Sequence, residues 1–166
     1  MRRGHPRGRD LLAAVLGDHT VCFLDPGAGP RTAAVLDALG PLLDLPGAGV
    51  DREVMARTVD WIQAHWDWPS TWGWDYPMVA MTAARLEAPE LAVDVLLKTD
   101  GPNNAYTAAG HNPNTGLPVY LPGNGALLAA VGMMAGGWDN GPDRPAPGFP
   151  DNGKWVVKAE GFSKLP

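Results

Sequence analysis

The sequence predicts a mainly α fold built from helix hairpins. Apolar residues recur at helical spacing in several separate segments, Gly and Pro gather in blocks between those segments, and strand-forming composition is confined to short stretches. Of 166 residues, 45% are hydrophobic and 19% charged. That composition belongs to a globular chain, and at this length a single domain buries roughly 68–70% of the surface its unfolded form exposes. The 21 Gly and 17 Pro are therefore read as boundary markers.

In chain order, "DLLAAVLGDHTVCFL" (10–24) reads as a short apolar helix followed by a strand. Over 32–43 the apolar residues Val35, Leu36, Leu39, Leu42 and Leu43 keep the 3.6-residue period, with Pro41 ending or kinking the helix near Gly40. "DLPGAGV" is a turn or linker. Asp51 has the chemistry of an N-cap, with Glu53 in the first turn where the helix dipole favours an acid. Met55, Val59, Ile62 and Trp66 then form one stripe, and Pro69 closes that helix. Pro77 suits the first turn of the next, "PMVAMTAARL". A break at Ala88-Pro89 starts "PELAVDVLLK", so these two helices form an αα-hairpin. A long loop, "TDGPNNAYTAAGHNPNTGLPVYLPG", follows, and loops of this length inside compact domains are usually functional or disordered. Asn124 is placed to cap the helix "GALLAAVGMM", whose apolar character on all sides predicts burial all round. "KWVVKAEGF" reads as a short C-terminal strand.

Composition and motif spacing exclude several functions. A net charge of −5 argues against a nucleic-acid partner, since phosphate binding needs clustered Lys and Arg; "MRRGHPRGR" at the start is a short basic arm only. No apolar run is long enough for a membrane span, and the start lacks the pattern of a secretory signal, so a cytoplasmic location is expected. Cys22 is the sole cysteine and cannot form an intramolecular disulfide. "GAGP", "GAGV" and "GNGALL" begin like phosphate loops, but none completes a Rossmann or Walker pattern. Ser70 and Ser163, the only serines, lie in no nucleophile elbow. His5, His19, His65 and His111 are too scattered for a metal site, and "DNGPDRPAPGFPDNG" does not match a calcium loop. No metal or cofactor is expected.

The remaining signal is aromatic. Five of the seven tryptophans, Trp61, Trp66, Trp68, Trp72 and Trp74, fall within fourteen positions, with Asp67 and Asp75 between them. Indole faces stack on the C–H faces of sugar rings, while carboxylates and amides bind hydroxyls around the edge. Helical phase assigns Trp66 to the core and leaves Trp61 open between core and surface. Trp68, Trp72 and Trp74 lie in a Pro/Gly/Ser-punctuated loop, where burial is harder to arrange, and Trp72 and Trp74 are the candidates to face a ligand. Asp75 can cap the Pro77 helix or act chemically, and the two roles are compatible. His111 is either a loop hydrogen-bonder or a member of the site.

Two stretches, "STWGWDYPMVAMTAARLEAPELAVDVLL" and "GHNPNTGLPVYLPGNGALLAAVGMMAGGWD", resemble the C-terminal part of the six-hairpin glycosidases, with the nearer likeness to the family 65-like and family 95-like (fucosidase-like) glycoside hydrolases. The similarity covers about residues 50–140. It implies part of an (α/α)6 toroid over 31–166, preceded by an irregular segment, 1–30, with no resemblance. It also implies that a Gly-Trp-rich loop and a later Gly-Asn loop each open a helix and line one sugar pocket. Carried over, Trp72, Trp74, Asp75 and Tyr76 form one wall; Tyr120, Gly123, Asn124 and Gly125 form another, with His111 and Asn112 nearby. Asp75 is the candidate catalytic base. The chain supplies about half of the six hairpins, the family's general acid belongs to an upstream segment absent here, and Pro122 stands where the fucosidase-like branch has a loop aspartate.

Three functions fit these residues. The first is a glycoside hydrolase, or the C-terminal fragment of one, acting in carbohydrate metabolism, for which this chain alone is expected to show no hydrolysis. The second is a non-catalytic carbohydrate-binding or pseudoenzyme module using the same loops. The third is a purely structural half-toroid, whose apolar last helix leaves an unfilled seam and predicts self-association.

Overall fold

The first helix of the computed structural model, which describes residues 51–114 and 116–165, is α1 (Arg52–His65). As expected, Asp51 caps it, its carboxylate accepting from the backbone N–H of Glu53 at 2.9 Å and of Val54 at 3.0 Å. The stripe of Met55, Val59, Ile62 and Trp66 is buried throughout. The helix stops before Trp66, which is extended. Pro69 has no N–H to offer the His65 carbonyl and disfavours helical geometry at Trp68.

The second helix, α2 (Asp75–Arg85), begins two residues before the expected start at Pro77. It is the centre of the described structure: α3 (Pro89–Leu96), α4 (Leu121–Gly136) and α1 all pack against it, α3 most extensively. Tyr76, Val79, Ala80, Thr82, Ala83 and Ala84 are at most 1% exposed, so this helix is surrounded. Its alanines keep it thin enough for neighbours on several sides. Glu87 ends it in a left-handed conformation at φ 62°. The N–H of Ala88 returns to the Ala83 carbonyl and that of Glu87 to the Ala84 carbonyl, both at 2.9 Å, a Schellman closure that turns the chain straight into Pro89 and completes the α2–α3 hairpin.

The loop after α3 is organised by its own amides. Asn104 Nδ2 donates to the Leu96 carbonyl at 3.1 Å and the Lys98 carbonyl at 2.7 Å, satisfying the end of α3. Helix α4 corrects three expectations. It starts at Leu121, before the expected Gly125, because Pro122 fits a first turn that has no use for its missing N–H. Asn124 therefore lies inside the helix and does not cap it. Nor is the helix buried all round: Leu121 is 70% and Leu128 74% exposed, while Ala130, Met133 and Met134 face the core.

The expected C-terminal strand over 154–162 does not form. Among the described residues the only β pairings are isolated bridges, Asn114 with Leu117 and Trp138 with Leu165. The last segment is an arm tied down by Asp139 N–H to the Leu165 carbonyl (2.7 Å) and Leu165 N–H to the Gly137 carbonyl (3.0 Å). Phe162 lies over Gly132 and Gly136 of α4, where a Cβ would come within 3.0–3.1 Å of its side chain. No helix of the described residues is long and apolar enough to cross a membrane. The helix and strand read over 10–24, the helix over 32–43, the boundary at residue 30, and Cys22, His5 and His19 lie outside the described residues.

Candidate functional site

The two loops singled out in the sequence meet. Their junction is Asn112, fully buried between Gly73 of the aromatic loop and Gly123 of α4. A Cβ on either glycine would collide with the Asn112 Oδ1 atom. Asn112 Nδ2 donates to the carbonyls of Asn103 at 2.8 Å and Ala105 at 2.9 Å. Its backbone N–H donates to Asn124 Oδ1 at 3.0 Å and its carbonyl accepts from the Tyr120 N–H at 2.7 Å. Asn124 Nδ2 in turn donates to the Gly110 carbonyl at 2.7 Å. Placed one turn into α4, Asn124 reaches back across the helix start and fastens the loop to it.

Above this junction the Trp72 and Tyr120 rings stand 5.1 Å apart, tilted by 54°. Trp72 is 43% exposed and Tyr120 only 8%. Burial, with the Asp75 charge nearby, raises the Tyr120 hydroxyl above its ordinary pKa. The result is a rigid, partly exposed indole backed by a phenol, with Asn124 half-buried beside it.

Asp75 lies beneath. It is completely buried, and its Oδ2 accepts from the Thr71 hydroxyl and, at 2.9 Å, from the Trp72 N–H. Thr71 Oγ1 also accepts from the Trp66 indole N–H at 2.9 Å, and the Thr71 carbonyl accepts from Asn103 Nδ2 at 2.7 Å. The carboxylate thus clamps the loop that presents Trp72, rather than capping the N–H groups of α2. Burial pushes its pKa up from 3.8 to about 6, against the lowering effect of the Thr71 and Trp72 hydrogen bonds. Its Oδ1, the Asn112 Oδ1 and the Trp74 Nε1 are buried without a hydrogen-bond partner.

The other candidates are divided. Tyr76 does not line this wall. It is fully buried, its hydroxyl donates to the Trp68 carbonyl at 2.9 Å, and burial, followed by the charges of Asp100 and Asp75, pushes its pKa to about 12. Trp68 is core as well, at 5% exposure, packed 5.1 Å from the Tyr76 ring with the Lys98 ammonium 5.1 Å from its own. Trp66 is core as expected. Trp61 is half-buried and stacks on His65 at 4.9 Å. Trp74 is half-buried beside the clamp. His111 is exposed, with its backbone bonded to Thr107, and Gly125 is exposed with open space around its Cα.

Sequence reasoning missed Thr71 and Asn103, which hold the clamp and the junction together. The one available signal for Thr71 is its position four residues before Asp75. Among the described residues no three or more His, Cys, Asp or Glu side chains cluster as a metal site. Comparisons of the chain with protein-family models, curated proteins and solved structures find no match.

Proposed function

We propose that the Trp72–Tyr120 face is a saccharide-binding surface on a helical unit of the six-hairpin glycosidase kind, whose hairpins are part of an (α/α)6 ring. The observation that carries this reading is the convergence of the indole loop and the Gly-Asn loop on Asn112, which holds a half-exposed tryptophan in a fixed pose beside an amide side chain. A pre-ordered aromatic plane loses little conformational freedom when a sugar stacks on it. Titrating the purified chain with mono- and oligosaccharides is expected to give a saturable tryptophan fluorescence change that disappears in Trp72→Ala. Unaltered fluorescence with every sugar tried would count against the reading.

Hydrolysis is the second reading, and one observation favours it: a buried carboxyl with a pKa of about 6 and an oxygen left without a partner has the profile of a catalytic acid or base. That oxygen has almost no contact with solvent in this conformation, so a base role requires the Trp72 loop to lift. An inverting reaction also needs a second carboxyl roughly 6.5–9.5 Å away. The chain alone is therefore expected to bind without turnover. Aryl-glycoside hydrolysis abolished by Asp75→Asn would establish the catalytic reading instead.

A further inference from the structure

A hollow lies at the other end of α4 from the Trp72–Tyr120 face. Gly148 backs directly onto Met134, so the segment that follows it is fastened near the helix C-terminus. Met134 is about 16 Å along the helix from Gly123, at 1.5 Å per residue. The hollow has a volume of about 260 Å³ and is lined by Arg144, Phe149, Pro150, Asp151, Trp155 and Val157, among others. The Phe149 and Trp155 rings are 5.8 Å apart, Phe149 anchored against the core and Trp155 40% exposed.

Its charges are the informative part. Arg144 is half-buried, and its Nη2 donates to the carbonyls of Pro147 at 2.8 Å and Phe149 at 3.0 Å. Those bonds fix the plane of the guanidinium, but their acceptors are neutral, so the positive charge is not cancelled. Asp151, on the same hollow, makes no ion pair or side-chain hydrogen bond among the described residues. Opposite charges thus share one small hollow without pairing to each other, over a wall of two aromatic rings and a valine.

A ligand of one sign would satisfy one charge and be repelled by the other, and a neutral polyol would gain little from either. A molecule carrying both charges and an apolar body satisfies all three features. The volume falls below the roughly 300–1,000 Å³ of drug-sized sites, which limits the ligand to about one amino acid. We propose that this hollow binds a small zwitterion with an apolar side chain, of the free α-amino acid class, its carboxylate toward Arg144, its ammonium toward Asp151, and its side chain against Trp155 and Phe149. The site is independent of the saccharide reading.

The test is calorimetric titration of the full chain with L-leucine and L-phenylalanine, and with N-acetyl-L-leucine, L-leucinamide and glucose as controls. The free amino acids are expected to bind saturably, and both capped derivatives about tenfold more weakly, since each lacks one charge. Asp151 is exposed and unbonded, so Asp151→Asn folds normally. It should weaken the free amino acids by about five- to tenfold and leave N-acetyl-L-leucine unchanged. Trp155→Ala should abolish binding, whereas Trp72→Ala should not affect it. No saturable binding of either amino acid up to about 10 mM would overturn the proposal, as would capped derivatives binding as well as the parents, or glucose displacing them.

Discussion

At the scale of single residues, Asn112 and Asp75 dominate. Asn112 touches two glycines, but their situations differ. At Gly123 the Asn112 side chain is the main obstruction, the next atom being Tyr120 Cδ1 at 3.1 Å; at Gly73 the Asn103 carbonyl also lies 2.7 Å from the point an added methyl would occupy. Gly123→Ala and Gly73→Ala are each expected to cost about 1–3 kcal/mol by overpacking. Adding Asn112→Ala should offset much of the Gly123→Ala penalty and little of the Gly73→Ala penalty, because only the former loses its principal clash. A double-mutant cycle by chemical denaturation measures the difference. Asp75 makes a prediction about pH. Its pKa is higher folded (about 6) than unfolded (3.8), so the folded state holds its proton more tightly. The carboxyl is compatible with folding below pH 3.8, and stability is lost as pH rises through about 6. The full difference is on the order of 3 kcal/mol. The gap between wild type and Asp75→Asn in thermal midpoint should therefore shift in favour of the variant from about pH 4 to about pH 7; a gap constant across that range would refute the assignment.

At the scale of elements, the α2–α3 turn carries a local cost. Glu87 occupies a left-handed position that glycine adopts freely, and for other residues such a conformation costs roughly 1–2 kcal/mol. The compensation in view is its exposed ion pair with Arg52 at 3.3 Å, a class of interaction worth about 0–1 kcal/mol. Glu87→Gly is accordingly expected to raise the thermal midpoint by a few degrees, with the Ala88-to-Ala83 closure intact. Helix α4 shows the limits of composition at this scale. An apolar sequence does not tell a helix which of its faces will be covered; Met133 and Met134 face the core, Phe162 of the arm covers only Gly132 and Gly136 further along the row of Leu128, and Leu121 and Leu128 are left outward.

For the whole molecule, the arrangement around α2 predicts a gradient of local stability. Amides from Val79 to Ala84 are expected to exchange most slowly with deuterated water and those of the exposed arm residues 158–163 fastest, because opening the centre requires three neighbouring helices to separate. Native-state exchange read by mass spectrometry checks this. Much of the architecture is legible in periodicity: the Met55–Trp66 stripe, the Asp51 cap and the break at Pro89 are local patterns with local causes. What is not legible depends on distant partners. Thr71 and Asn103 are bonded across 32 positions, and nothing near either residue announces the other. Trp68 is buried in part because Tyr76 and Lys98 come to it. Asn124 has the short-range chemistry of a cap, while its actual bonds are to Gly110 and Asn112. The arm after Trp138 has strand-like residues but no neighbouring strand to pair with among the described residues.

The shared carboxamide at Asn112 also sets a rule for redesign. Because one side chain fits against Gly73 on one side and Gly123 on the other, diversifying either loop in isolation will mostly yield broken proteins, whatever residues the library offers at the rim. Positions 112 and 123 have to be varied as a single unit, with Gly73 kept because the Asn103 backbone carbonyl closes on it as well, and a selection that treats them so can reshape the indole platform without unfastening it.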